Sequence, residues 1–407
     1  MHKGNLIVND PVYGFINIPR GLLCQIIDHP WFQRLGRIRQ LGMASIVYPG
    51  AQHTRKQHSL GAYHLMQETL RSLVEKGHFI FDSEIEAAEA AILLHDIGHG
   101  PYSHVLESVF VEGLSHEELS LAMMERMNEE FRGELSLGIK IFKDDYPKHF
   151  LHELICSQLD MDRLDYLCRD SFYTGVIEGN IGAARIIKTL DLAADRLVVR
   201  HKGIYSVENY LMARRLMYWQ VYLHKTAVGA EQLLRSALNR AKYLARNGLE
   251  LFATSSLHYF LYNDITAKSF FEREESLERY ADLDDSDIMV SLKAWSHHPD
   301  KVLSLLSSSF VERRLFKTDI YEGALPDGLI DVLRQRTAEK YLLTYDETDY
   351  FVSVKSIEKE MYTMSSAGIG MLYPDGNVKD VSEVSNIVHS DSCDLSDRKL
   401  YVFYPDL

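Results

Sequence analysis

Apolar residues recur at the three-and-four spacing of amphipathic helices along most of the chain before about residue 313. Ser83 with Glu86 three residues later predicts a capping box at the start of a helix that carries His95. Further helices are predicted over residues 21–41, 58–76, 115–130, 150–170, 206–247 and 280–312. The pattern therefore predicts a mostly α fold.

Other segments have the alternation and turn residues of strands. Residues 185–205 contain the run Arg196–Arg200 and a turn at Gly203. After about residue 313, short strand-like runs such as 350–354 and 399–404 replace the helical pattern. We predict a helical core with its extension over residues 1–318 and a smaller α+β region over 319–407.

Composition narrows the classes of partner. The 44 basic and 58 acidic residues give a net charge of −14, so nucleic acid is an unlikely partner. No apolar run approaches the roughly 20 residues that span a bilayer, so no membrane partner is expected. The four cysteines form no C-x-x-C pair and read as free thiols of a reducing compartment, which predicts a cytoplasmic protein. They are Cys24, Cys156, Cys168 and Cys393.

Two histidines and two aspartates form a candidate metal site. His95 and Asp96 are adjacent and stand just before Gly98, where a helix should end and present side chains at a cavity. His58 and Asp162 complete a set of imidazole and carboxylate ligands that suits a divalent cation, either Fe, Mn, Mg, Ni or Zn. A single histidine is more often structural, so the prediction depends on all four residues together. A bound cation of this kind lowers the pKa of water and neutralises phosphate charge.

Two stripes of mixed polar residues suggest the wall of a pocket. Asp162, Tyr166 and Asp170 recur every four residues, and Arg214, Tyr218 and Tyr222 do the same, with Lys225 one turn later. A solvated helix face is the alternative interpretation of either stripe.

Three motifs carry a family resemblance. They are QHSLG at residues 57–61, LHDIGHGPYSH at 94–104 and DMDRLDY at 160–166. They resemble the HD-domain phosphohydrolases, above all the branch that hydrolyses deoxynucleoside triphosphates. The similarity runs from Asn9 to Lys225, so the resemblance implies an HD-domain helical core.

The resemblance implies catalytic roles for several side chains. His104 would protonate the leaving oxygen with Glu107 behind it, one helical turn away, where the family often has Asp. His99 and His116 would touch phosphate oxygens. The alternative is that His99 and His104 only cap helix ends.

The same resemblance implies a substrate pocket. Arginine binds phosphate bidentately, so guanidinium groups would hold the triphosphate. Tyr166 would pack where a 2′-hydroxyl would clash, Gln40 and Asp170 would hold the 3′-hydroxyl, and Leu41 would contact the sugar or base. The implied substrate-binding set is Gln40, Leu41, Arg55, Arg163, Tyr166, Asp170, Arg214, Tyr218, Tyr222 and Lys225.

The sequence therefore predicts a metal-dependent hydrolase of deoxynucleoside triphosphates that releases deoxynucleoside and inorganic triphosphate. One alternative is an HD phosphohydrolase of another nucleotide, either a monophosphate or a signalling nucleotide. The other is a catalytically silent nucleotide-binding regulator. The resemblance also implies a homo-oligomer.

Overall fold

The computed structural model describes residues 5–102, 109–111, 113–359, 368–388 and 397–407. The predicted catalytic residues His104 and Glu107, as well as Cys393, lie outside these ranges. The helices are α1 (Leu22–Asp28), α2 (Pro30–Arg34), α3 (Arg55–Glu75), α4 (Asp82–Leu94), α5 (His116–Glu130), α6 (Ser136–Phe142), α7 (His149–Glu153), α8 (Met161–Thr174), α9 (Ala183–Thr189), α10 (Ile204–Met217), α11 (Lys225–Arg246), α12 (Ser255–Tyr262), α13 (Ala267–Glu272), α14 (Glu274–Asp282), α15 (Asp285–Trp295), α16 (Lys301–Val311), α17 (Leu329–Tyr341) and α18 (Val381–Val384).

Three small sheets accompany the helices. A hairpin pairs β1 with β2, and β3, β4, β7 and β8 form a four-stranded sheet in which β4 and β7 run parallel. The third sheet has the order β5-β9-β6 and is antiparallel. The strands are β1 (Leu6–Asp10), β2 (Gly14–Ile18), β3 (Leu190–Ala193), β4 (Arg196–Arg200), β5 (Lys317–Tyr321), β6 (Ser353–Lys359), β7 (Gly370–Leu372), β8 (Val378–Asp380) and β9 (Asp397–Tyr404). The predicted mostly α fold is confirmed.

The helix boundaries differ from the predicted ones where capping and proline intervene. The predicted helix over 21–41 is broken at Pro30, which lacks an N–H to continue α1 and instead starts α2. The capping box predicted at Ser83 and Glu86 is wrong, because Glu84 accepts the hydrogen bond from the backbone N–H of Phe81 at 2.8 Å. The helix that carries His95 therefore begins at Asp82.

The buried apolar residues form two clusters. The first is built mainly on α1, α3, α4, α8 and α10 and surrounds the predicted metal ligands. The second joins α11, α12, α15 and α16 to β5, β6 and β9. Because the C-terminal strands pack in the same cluster as α11 and α16, the boundary at residue 318 is not marked by a gap in the core and stays a prediction.

Within the described ranges, no helix is both long and apolar enough to cross a membrane. Cys24, Cys156 and Cys168 are free thiols.

Candidate metal centre and substrate pocket

Three helix ends bring the predicted metal ligands together. His58 lies on the first turn of α3, which begins after Thr54, whose backbone N–H is bound by the Gln57 side chain at 2.8 Å. His95 is the C-cap residue of α4. Asp162 lies in the first turn of α8, which Asp160 caps. The three residues thus come from the ends of three different helices.

His58, His95 and Asp162 form a tight cluster. The ligand atoms of the three residues lie within 4.8 Å of one another. Nε2 of His58 is 3.0 Å from Oδ1 of Asp162 and 3.3 Å from Nε2 of His95. Nε2 of His95 is 3.4 Å from the same Asp162 oxygen. These donors fit a divalent cation of the kind that accepts nitrogen and oxygen ligands.

The outer nitrogen of each histidine is already engaged. Nδ1 of His58 lies 2.8 Å from Oδ2 of Asp165, and Nδ1 of His95 lies 2.7 Å from the carbonyl oxygen of Ile92. Both acceptors require a proton on Nδ1, so the neutral rings turn the lone pair of Nε2 towards the cluster. This is the arrangement that metal-binding histidines use.

Asp96 lies beside the cluster. Its Oδ1 is 3.5 Å from Nε2 of His95 and 3.3 Å from Nε2 of His99. Its Oδ2 accepts a hydrogen bond from Nη1 of Arg55 at 2.5 Å. Arg55, predicted to approach a phosphate, is itself buried and bound to this carboxylate.

The charges of the cluster shift the pKa values of its own residues. Burial by itself lowers the pKa of His58, but hydrogen bonds to Asp162 and Asp165 outweigh it and raise the pKa to about 10. Burial raises the pKa of Asp162, yet hydrogen bonds from His58 and His95 bring it below its ordinary value. The carboxylates thus favour positive charge at this point, as a site for a divalent cation requires.

A second layer of charged residues supports His58 and was missed by the sequence interpretation. Asp165 accepts from Nε and Nη2 of Arg169 at 2.9 and 3.0 Å while it holds the imidazole. Arg169 Nη1 donates to Asp10 at the end of β1 at 2.8 Å. The position of Asp165, three residues after Asp162 on one helix face, was the available signal.

The close approach of α3 and α8 requires a glycine. A Cβ atom on Gly61 would lie 2.0 Å from Oδ1 of Asp165 and 2.1 Å from Nη2 of Arg169. Gly61 follows His58 by nearly one turn, so it leaves the space that the Asp165–Arg169 pair occupies.

Two other predicted catalytic histidines, His99 and His116, stack on each other next to Asp96, which His99 contacts. The rings of His99 and His116 are stacked with centroids 3.9 Å apart. His99 is buried. It contacts Asp96 on one side and stacks on His116, at the start of α5, on the other. Residues 104 and 107 lie outside the described ranges, so the roles of His104 and Glu107 stay predictions.

Three tyrosines form one wall next to the cluster. The ring of Tyr166 lies 6.5 Å from that of His58 and 6.0 Å from that of Tyr222. Tyr218 and Tyr222 are 5.3 Å apart at the two ends of a π-helical turn, a local form often found at functional sites. The hydroxyl of Tyr222 donates to Asp170 at 2.8 Å, and Asp170 is also bound by His53 at 2.7 Å. Asp170 is buried, and its hydrogen bond with Tyr222 holds the tyrosine wall in place.

The predicted phosphate-binding arginines lie near the same wall. Nε of Arg163 donates to the carbonyl oxygen of Ser157 at 2.6 Å and to Asp160 at 3.1 Å. Nη1 of Arg214 donates to Gln158 at 2.9 Å. Arg163 precedes Tyr166 by three residues on α8, and Arg214 precedes Tyr218 by four at the end of α10, so each arginine shares a helix face with a wall tyrosine.

Gln40, Leu41 and Lys225 have different environments. Oε1 of Gln40 is buried and has no hydrogen-bond partner among the described residues. Leu41 is partly buried and packs on the first core cluster. Lys225 is exposed and lines a cavity of about 400 Å³ together with Arg313 and Lys317. Among the described residues, none of the metal-cluster side chains lines this cavity.

Comparison with known proteins gives two matching regions. Residues 55–170 match the HD domain, and residues 181–253 match the HD associated region. The first contains all four predicted metal ligands.

Whole-length relatives also exist. The chain is 34% identical to uncharacterized protein YwfO of Bacillus subtilis over 98% of this chain and 92% of that protein. A phosphohydrolase crystal structure from Bacteroides thetaiotaomicron is 57% identical and superposes with a TM-score of 0.96 over 99% of this chain and 100% of that one.

One relative that matches over a shorter region is named for its enzymatic activity. The deoxynucleoside triphosphate triphosphohydrolase SAMHD1 of Gallus gallus is 31% identical over 279 residues, which are 58% of this chain but 45% of that protein. This chain therefore matches less than half the length of SAMHD1. Taken with the cluster geometry, these similarities show that the chain belongs to the HD-domain phosphohydrolase family.

Proposed function

We propose that the protein hydrolyses deoxynucleoside triphosphates to the deoxynucleoside and inorganic triphosphate. One observation carries the proposal: the tyrosine wall of Tyr166, Tyr218 and Tyr222 stands directly beside the His58–Asp162 cluster, with two arginines next to it. Aromatic rings suit contact with a sugar or base, and guanidinium groups suit contact with phosphates. The pocket therefore has groups that can recognise both halves of a nucleotide. The similarity to SAMHD1 supports the same substrate class.

The cation would be held by His58, His95 and Asp162, with Asp96 at its side. When bound, it supplies positive charge that polarises a phosphoryl oxygen and lowers the pKa of water. Its identity among Fe, Mn, Mg, Ni and Zn is left to the reconstitution experiment below.

The chain's own residues position and neutralise the substrate. Arg163 and Arg214 would offset the triphosphate charge, a mainly electrostatic contribution. His104, backed by Glu107, would donate a proton to the departing 5′ oxygen, and His99 and His116 would contact phosphate oxygens.

The sugar would be recognised by Gln40 and Leu41 together with Asp170 and Tyr166. The orphaned Oε1 of Gln40 can accept a hydrogen bond from a hydroxyl, while Leu41 beside it offers apolar contact. Asp170 would join Gln40 at the 3′-hydroxyl. Tyr166 would occupy the space of a 2′-hydroxyl, which gives preference for deoxy substrates.

The test is a hydrolysis panel on metal-stripped protein reconstituted with each candidate metal. Four deoxynucleoside and four ribonucleoside triphosphates are incubated separately, and ion-exchange chromatography identifies the products. The proposal expects triphosphate and deoxynucleoside from the deoxy forms, none from Asp162→Ala, and metal retained but turnover lost in His104→Ala. Release of monophosphate, turnover of other nucleotides alone, or binding without turnover would each overturn it.

The proposal includes a cytoplasmic homo-oligomer, in keeping with the free thiols and with the family resemblance. Light scattering on the eluting protein measures its mass, and a monomer at assay concentration would contradict this part.

A further inference from the structure

The HD turn, residues 95–102, is held by a much later part of the chain. Arg34 is completely buried, and its guanidinium donates to the carbonyl oxygen of His99 at 2.8 Å and to that of Leu283 at 2.7 Å. One cation thus ties the turn to the segment between α14 and α15. Residues 280–285 lie outside both regions that match the family, 55–170 and 181–253.

Asp285 makes the most specific contact from this segment. It is the first residue of α15, but Asp284 caps that helix by accepting from the backbone N–H of Ser286 at 2.8 Å. The carboxylate of Asp285 instead binds two backbone donors from the N-terminal part of the chain: Oδ1 accepts from the backbone N–H of Tyr102 at 2.9 Å and Oδ2 from that of Arg39 at 3.0 Å. It is 9% exposed. One side chain therefore joins the end of the HD turn, which carries His95 and Asp96, to the residue before Gln40.

Tyr102 occupies an unusual backbone conformation. Its φ of 52° places a residue with a bulky side chain in the left-handed region, which persists only where the surroundings hold it. Tyr102 is buried, and the acceptor of its N–H is Asp285. The next residues along the chain, 103–108, include His104.

Arg39 precedes Gln40, which is predicted to bind the sugar. Residues 38–40 run against the start of α3, because Gln40 N–H donates to the carbonyl of His53 and Arg55 N–H donates to that of Ile38, both at 3.0 Å. This places the Gln40 side chain, with its orphaned oxygen, at the entrance to the helix that carries a metal ligand. A shift at Arg39 therefore displaces Gln40.

We infer that Asp285 is a positioning residue, which sets the spacing between the Gln40 segment and the end of the HD turn through two hydrogen bonds from one carboxylate. The kinetic consequence rests on the proposed function, because it concerns the placement of Gln40 on a nucleotide. The contact itself does not depend on which substrate is used.

The test compares Asp285→Asn with Asp287→Asn. Asparagine has the same shape as aspartate but a single side-chain acceptor, so one of the two backbone donors faces an NH₂ group. Asp287 provides the matched control: it lies in the first turn of the same helix and accepts from the backbone N–H of Asp284 at 2.8 Å. Both variants remove one negative charge from the first turn of α15. Any loss of the interaction between that charge and the helix dipole is therefore the same in the two variants.

Three readouts are taken on the full-length protein. We expect Asp285→Asn to lower kcat for the best deoxynucleoside triphosphate by about 10- to 100-fold, the size of effect that small misplacement of reacting groups produces. Mn²⁺ binding measured by calorimetry should match the control, since the ligand cluster is not touched. Amide hydrogen exchange should accelerate in peptides covering both 39–42 and 99–102 in this variant alone.

The outcomes separate the two proposals. Equal kcat in the two variants, or exchange that rises at neither or only one of the two peptides, overturns the role of Asp285. If the wild-type protein turns over no deoxynucleoside triphosphate with any metal, the proposed function fails, and the exchange measurement alone decides the positioning role.

Discussion

Asp165 holds the Nδ1 of His58 at 2.8 Å and thereby determines which ring nitrogen faces the metal cluster. The same carboxylate pairs with Arg169, so the aspartate and arginine are both buried and depend on each other. A histidine whose outer nitrogen is fixed in this way presents its lone pair without reorganisation when a cation arrives.

We predict that Asp165→Asn weakens Mn²⁺ binding by about 10- to 100-fold, the usual cost of losing a partner behind a metal ligand. The asparagine amide no longer dictates the tautomer of His58. Calorimetric titration of the metal-stripped protein measures the change. Asp191→Asn is the control, because Asp191 bridges His78 and Arg200 in the same way away from the cluster. Equal losses of affinity in both variants would contradict the prediction.

Gly61→Ala should destabilise the protein and lower its metal affinity. The added methyl group would lie about 2 Å from Asp165 and Arg169, which cannot both move aside within a packed interface. We expect a loss of at least about 1–3 kcal/mol in the free energy of unfolding, the usual range for overpacking. Urea unfolding and metal titration measure the two effects.

The control for that variant is Gly182→Ala, since a Cβ there meets its nearest neighbour at 3.8 Å and the residue is exposed. A Gly61→Ala protein as stable as the Gly182→Ala protein would show that α3 and α8 can separate without cost.

Glu89 should make stability depend on pH. Burial on α4, with repulsion from Glu86, raises the pKa of Glu89 from 4.5 to about 7, although a hydrogen bond from Gln67 acts in the opposite direction. Above pH 4.5 the unfolded chain releases this proton while the folded protein keeps it, so stability falls as pH rises to about 7 and stays lower above it.

Glu89→Gln removes this penalty. We expect the variant to be more stable than wild type at pH 8, by up to about 3 kcal/mol, and to differ little at pH 4.5. Urea unfolding midpoints at the two pH values measure the effect, with the exposed Glu125→Gln as control. A Glu89→Gln gain that is the same at both pH values would show that ionisation is not its cause.

Tyr166→Ala should admit ribonucleoside triphosphates. Removing the ring frees the space beside the cluster, so kcat/KM for a ribonucleotide should rise relative to its deoxy counterpart by about tenfold or more. Tyr222→Phe is the control, because it keeps a wall ring and loses only the hydroxyl bond to Asp170. Unchanged discrimination in Tyr166→Ala would place sugar selection elsewhere.

Local signals in the sequence predicted much of the fold. The expected stop of α3 at Lys76 and Gly77 holds, because Gly77 adopts a φ of +94° that glycine tolerates. The interpretation failed where neighbours compete, as at Phe81, where Glu84 takes the capping contact that Ser83 and Glu86 were expected to make. α17 was not predicted, because its apolar residues stand together in its first turns instead of recurring along it, and Leu333 is its single residue in the buried second core cluster.

The sequence by itself determined which type of chemistry to expect, because two imidazoles and two carboxylates in motifs of defined spacing offer the ligand atoms that a divalent cation prefers. Tertiary structure decided which groups support them. Asp165 and His58 are separated by 107 residues, Asp10 and Arg169 by 159, and Asp285 and Tyr102 by 183. The residues of such a pair come into contact only when distant elements pack together. The local periodicity of the sequence therefore does not predict which partner each buried charge binds.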